Sequence, residues 1–270
     1  KIMRFKEFLA ETPTDEASIR EFLNKTLGLD DSDFIINQDK SVSLHTDLNI
    51  DPVHGQSLKR LPVKFKEIDG DVWINNCKLE TLIGLPEVVE NLYLINTFVK
   101  DLKFAPKTFY GDLVINNNRN LKSLAGCPTE VPGDFSCCDN HELESLVGGP
   151  TTVGKSYKID TCNSLKSIEG IAETIGKHLS ICNNRKLDNL EGISKKVKSC
   201  GGKLDVSGNY FTHSIMGVVV VKGITSLEYK FGGKASKAFD IIFKCRTEGK
   251  DALECQDLLI DAGLQDFAKL

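Results

Sequence analysis

GDLVINNNRNLKSLAGCPTEV, residues 111–131, is followed one proline later by GDFSCCDNHELESLVGGPTTV, residues 133–153. Each copy opens on Gly-Asp, runs through two apolar residues separated by one other, and closes on Leu-x-Gly-x-Pro. The apolar pair returns along the chain as Val72 and Ile74, Leu92 and Leu94, Leu113 and Ile115, Phe135 and Cys137, Tyr157 and Ile159, Leu179 and Ile181, and Leu204 and Val206. Successive pairs stand 20, 21, 22, 22, 22 and 25 residues apart. Alternation over so short a segment predicts a strand with both pair members on one side, and self-similarity at this period predicts a solenoid.

Two further columns keep the same phase. Three residues after each pair come Cys77, Thr97, Asn118, Asn140, Cys162, Asn184 and Asn209, all small and most able to hydrogen-bond. Then come Leu79, Val99, Leu121, Leu143, Leu165, Leu187 and Phe211. Buried backbone groups where a coil leaves its strand need partners, and short polar side chains supply them. The return half carries Leu82, Gly84 and Pro86, then Leu124, Gly126 and Pro128, then Leu146, Gly148 and Pro150; Ala172 and Ser194 replace the proline later. Coils this short leave little room for a convex-side helix, so turns and extended segments are expected there.

The columns resemble the leucine-rich repeat pattern LxxLxLxxNxL. The phrasing LKSLAGCPTEVPGDFSCCDN resembles short leucine-rich proteins encoded by tailed bacteriophages and some bacteria. The resemblance covers about 46–211, with an irregular first copy at Leu48 and Ile50, and implies a horseshoe or arc with a parallel concave sheet. Three regions are expected. Residues 1–45 form a helix and hairpin cap, with Thr14 capping a helix over 14–27 and a turn near Gln38 to Lys40. Residues 46–211 form the solenoid of about eight coils. Residues 212–270 form a strand and helix cap, with strands at Val218 to Val221 and Ser226 to Phe231 and helices at about 236–246 and 251–261. Such ends are needed because an open solenoid exposes its last apolar layer.

Composition narrows the function. The chain has 270 residues, 40% of them apolar, and a net charge of −4, which gives no electrostatic footprint for nucleic acid or an anionic membrane. No apolar run reaches membrane-spanning length, and KIMRFKEFLAE is too charged for a secretory signal. A cytoplasmic protein is expected, in a host cytoplasm if viral, with a virion as the alternative. Nine cysteines without paired zinc-type spacing suit free thiols. Glu7 to Glu11 also resembles the head-targeting leader of certain phage internal head proteins.

Chemical motifs mostly dissolve into the repeat. Gly149, Gly154, Lys155 and Ser156 match a phosphate-binding loop formally, yet that loop must open a helix and Ser156 leads into the Tyr157 strand. Cys137, Cys138, Asp139 and His141 are separated by phase, so no metal site, cofactor or catalytic set is expected, and His178 falls on the concave side without a partner. What remains is the outward column Trp73, Tyr93, Val114, Ser136, Lys158, Ser180 and Asp205, beside Asn75, Ile95, Asn116, Cys138, Asp160, Cys182 and Ser207. Strands about 4.8 Å apart make Trp73, Tyr93 and Val114 contiguous. Ile95 flanks them, Asn75 and Asn116 stand beside it, and Asp71 and Asp112 edge the group as part of an acidic stripe with Asp134. An aromatic cluster with a polar border resembles the anchor of a protein interface. The expected function is non-enzymatic recognition of a host or viral protein, with inhibition as one consequence. The alternatives are a structural part of a phage particle and, least favoured, a nucleotide-binding enzyme.

Overall fold

The computed structural model describes residue 13, residues 15–230 and residues 232–269. It is a parallel β-solenoid of about eight turns with a few helices. Its largest sheet has nine strands, built in chain order from β3 (Leu48–Ile50), β5 (Val72–Asn75), β7 (Leu92–Ile95), β9 (Leu113–Asn116), β11 (Phe135–Ser136), β13 (Tyr157–Lys158), β15 (Leu179–Ser180), β17 (Lys203–Asp205) and β18 (Ser226–Glu228). Every neighbouring pair is parallel and in register, with Val72 beside Leu92, Leu92 beside Leu113, and Leu113 beside Phe135. The expected strand pairs are buried and the residues between them reach the surface, as period-two alternation requires.

The ladder column lies inside. Asn118 Oδ1 accepts from the Thr97 amide and hydroxyl, and its Nδ2 donates to the Leu94 carbonyl at 2.9 Å. Asn140 repeats this toward the Asn118 amide and the Ile115 carbonyl, Asn184 toward Cys162 and Ile159, and Asn209 toward Asn184 and Ile181. Just before each rung the backbone turns left-handed, at Asn76, Asn96, Asn117, Asp139, Thr161, Asn183 and Gly208. Asparagine and glycine tolerate that conformation; threonine does so at a cost.

Return segments are extended as expected, and seven of them form short strands: β4 (Phe65–Ile68), which pairs parallel with residues Val42–Leu44, then β6 (Val88–Val89) beside β8 (Thr108–Phe109), then β10 (Glu130–Val131), β12 (Thr152–Val153), β14 (Thr174–Ile175) and β16 (Ser199–Cys200) in a parallel sheet. The coil that ends in β16 also holds a four-residue helix, α2 (Ile193–Lys196), which accommodates the longer 25-residue step where serine replaces the return-column proline. From several return strands the chain re-enters the nine-stranded sheet through a tight backbone contact. A Cβ on Gly176 would lie 2.0 Å from the Gly154 carbonyl oxygen, and one on Gly154 2.1 Å from that of Pro132.

At the N-terminal end α1 (Glu16–Thr26) buries Ile19 and Leu23, and β1 (Phe34–Ile36) pairs antiparallel with β2 (Val42–Leu44) across a turn in which Lys40 is left-handed. Asp15, rather than Thr14, caps α1: its carboxylate accepts from the Ser18 amide at 2.9 Å, while Thr14 lies outside the described residues. The leader-like Glu7 to Glu11 lies outside them too.

At the other end the expected strand over Val218 to Val221 is corrected. Met216–Val220 is a 3-10 helix, because the Arg246 guanidinium collects the carbonyls of Val218, Val219 and Val221 at 2.7, 2.7 and 3.1 Å. A short apolar run fits a buried helical turn as well as a strand. Ser226–Glu228 is a strand and joins the nine-stranded sheet as its last member. Helices α3 (Gly233–Thr247) and α4 (Ala252–Asp261) follow, the second opened by an Asp251–Glu254 capping box. All these pieces share one continuous buried core with the coils. Among the described residues no helix is long and apolar enough to cross a membrane.

Candidate functional site: an aromatic patch on the nine-stranded sheet

In-register pairing places Trp73 beside Tyr93 and Tyr93 beside Val114. The two rings stack with centroids 3.7 Å apart and planes 10° from parallel. Such a pair contributes about 0.5–1.5 kcal/mol beyond its buried area and holds both side chains in one geometry. In the next row Asn75, Ile95 and Asn116 are also paired across β5, β7 and β9. Residues of both rows are half-buried. The Asn75 Oδ1 is buried with no hydrogen-bond partner among the described residues. Asn116 is committed to the fold: its Oδ1 accepts from the Ser136 hydroxyl at 3.0 Å and the Cys138 amide at 2.9 Å.

The acidic stripe has a structural use that the sequence alone does not disclose. Asp47 Oδ1 accepts from the Asp71 amide, Asp112 Oδ1 from the Asp134 amide, and Asp134 Oδ1 from the Ser156 amide, each at 2.8 Å. Asn91 bridges the gap, donating to Asp71 Oδ1 at 2.7 Å and accepting from the Asp112 amide. His178 belongs to this same edge ladder, where its Nδ1 accepts from the Lys203 amide at 2.9 Å. These bonds use one carboxylate oxygen each of Asp47, Asp71, Asp112 and Asp134. Burial, followed by the charges of Asp112 and Asp71, raises the pKa of the Tyr93 hydroxyl, so the ring stays a neutral phenol near neutral pH.

The phosphate-loop match is extended chain. Thr152–Val153 is a strand, the amides of Thr151, Gly154 and Lys155 donate to the carbonyls of Thr129, Val131 and Gly133, and the Ser156 amide donates to Asp134. These amides are already bonded within the fold, and no helix N-terminus follows. Cys137 is buried and Cys138 half-buried, while His141 is exposed with its Nδ1 3.0 Å from the Thr161 carbonyl oxygen. Burial raises the thiol of Cys138 above its ordinary value and that of Cys182 to about 12, which keeps both protonated. Among the described residues no cluster of potential metal ligands is present.

Two depressions, of about 530 and 720 Å³, lie elsewhere. One is lined by Phe65, Ile68 and Tyr110, the other by Asn209, Phe211 and Ala235. Trp73 and Tyr93 line neither depression and stand on the face of the nine-stranded sheet, a position suited to a macromolecular surface rather than an enclosed small molecule. Fold and patch define the class: a repeat solenoid with a polar-edged aromatic row on its main sheet. No family model matches this chain, and no curated protein or solved structure matches it.

Proposed function

We propose that this chain is a leucine-rich repeat protein of the kind encoded by tailed bacteriophages and some bacteria. In this reading it is a non-enzymatic module that binds a host or viral protein through the N-terminal half of its concave sheet, in the cytoplasm of the infected cell. The inward asparagine ladder supports the repeat assignment, and the terminal helices and hairpin serve as caps over the end coils. The stacked Trp73–Tyr93 pair carries the functional reading. Two large rings already locked against each other present an anchor whose ordering cost is met within the fold rather than at binding. Ile95 and Val114 extend the anchor, Asn75 and Asn116 stand beside it, and Asp71 and Asp112 form its rim.

The test is a paired pull-down from infected cells with the wild-type chain and the Trp73→Ala/Tyr93→Ala variant, with folding verified by circular dichroism. A host protein retained by the first and lost by the second is the expected result; truncating such anchors costs about 2 kcal/mol or more of binding. Recovery of other particle proteins would instead make the chain a structural part. Capture of the same protein at equal yield by both forms overturns the assignment of the face.

A further inference from the structure

Resting on that reading of the concave face, the chemistry of the partner follows from what flanks the stack. Tyr93 covers one face of the Trp73 indole at 3.7 Å. On the other side lies β3, the outermost strand, and there Trp73 is paired in register with Asn49. Asn49 is exposed and too short to cover an indole. The second face of the ring therefore borders a slot floored by Asn49.

Charge around that slot is one-sided. Over the coils of β3 to β11, the two outward rows and the edge column before them hold Asp47, Asp51, Asp71, Asp112 and Asp134 and contain no lysine, arginine or histidine. Lys155, from the next coil, comes within 3.8 Å of Asp112 and offsets charge there. No such cation meets Asp47 or Asp71 among the described residues. Each has one oxygen held in the edge ladder, and the second makes no hydrogen bond or ion pair with any described residue.

We propose that this slot takes an arginine side chain from an extended basic segment of the partner protein, its guanidinium stacked on the open face of Trp73 and hydrogen-bonded to Asp47 and Asp71. Arginine fits better than lysine because a planar, weakly hydrated fork stacks on an indole and bonds carboxylates at the same time. The ladder bonds fix the two carboxylates before any ligand arrives, and the stack fixes the ring.

Trp73 is the sole tryptophan, so its emission reports this site directly. A random linear peptide library is panned over the immobilised full chain, and the enriched peptides are titrated against wild type, Trp73→Ala and Asp47→Asn/Asp71→Asn, with emission followed wherever Trp73 is present. Asparagine keeps the ladder acceptor at both positions while removing the charge, and circular dichroism checks each fold. Peptides that depend on Trp73 are expected to carry arginine. Replacing that arginine by lysine, or using the double asparagine variant, should weaken binding about tenfold, with a shallower salt dependence in the variant. Trp73-dependent peptides without basic residues, or ones indifferent to both changes, overturn the arginine slot and leave the binding face intact. Enrichment with no dependence on Trp73 overturns both.

Discussion

Replacing Asn140 by alanine tests the inward ladder at a fully buried rung. Its Oδ1 accepts from the Asn118 amide at 2.7 Å and its Nδ2 donates to the Ile115 carbonyl at 2.7 Å, so one side chain serves the backbone of the preceding coil on both counts. Alanine leaves that N–H and that C=O without this partner in a site water does not reach. Each unsatisfied group costs about 1–3 kcal/mol, which puts the loss at about 2–6 kcal/mol before any cavity contribution. Cysteine is the informative comparison, because it fills this column naturally: Cys162 Sγ lies 3.2 Å from the Cys137 carbonyl oxygen. A thiol bonds more weakly than an amide but still occupies the site, so Asn140→Cys is expected to lose about half as much as alanine. Urea unfolding followed by circular dichroism measures both, and hydrogen exchange at the Asn118 amide localises the effect. A loss below about 1 kcal/mol for alanine, or a cysteine variant no more stable than the alanine one, would refute the ladder as a source of stability.

Two further outcomes rest on single observations. Thr161 sits at φ 60° where the neighbouring coils have Asp139 and Asn183, so Thr161→Asn should relieve a β-branched residue in the left-handed region and stabilise by about 1 kcal/mol, seen as a rise in thermal midpoint. Burial, reinforced by the Asp240 carboxylate 2.7 Å away, raises the Tyr229 hydroxyl to about 12 from an ordinary 10.0. Because the folded value is the higher one, its contribution is complete below pH 10 and disappears as pH rises through about 12. Urea melts on either side of that window should show a loss that Tyr229→Phe reduces.

The strands and the inward ladder were legible because each is set by one side chain's position in a strict period, and a period survives reading one sequence alone. The Trp73–Tyr93 contact was legible for the same reason, since phase alone makes these residues neighbours. Features that depend on what lies in the adjacent coil were not. Asp71 and Asp112 read as an acidic stripe, and only the positions of Asp47, Asn91 and Asp134 reveal that their carboxylates bond neighbouring coils. Likewise Gly154 and Gly176 carry no signal of their own until the backbone of the preceding coil appears within about 2 Å of a would-be Cβ. Val218 to Val221 failed differently: an apolar run has no period to read, and the residue that decides it, Arg246, lies more than twenty positions away.

The polar ladders and the aromatic row are consequences of one constraint. A coil that returns to the same register places like positions of successive strands side by side, so any column becomes a line of contacting side chains. Inward, that line must satisfy backbone groups, and asparagine fills it. Along the strand edge it must meet free amides, and carboxylates or amides fill it, which leaves each carboxylate a second oxygen outside those bonds. On the outward row nothing in the fold requires a particular residue, and serine, lysine and aspartate occupy most of it from β11 onward. Packing needs therefore explain the first two columns but not why a tryptophan, a tyrosine and a valine stand together at the N-terminal end of the third. Large rings left half-exposed on a sheet face carry a solubility cost. Under the function proposed above, a partner protein would cover Trp73, Tyr93 and Val114, which in-register pairing places side by side in adjacent coils.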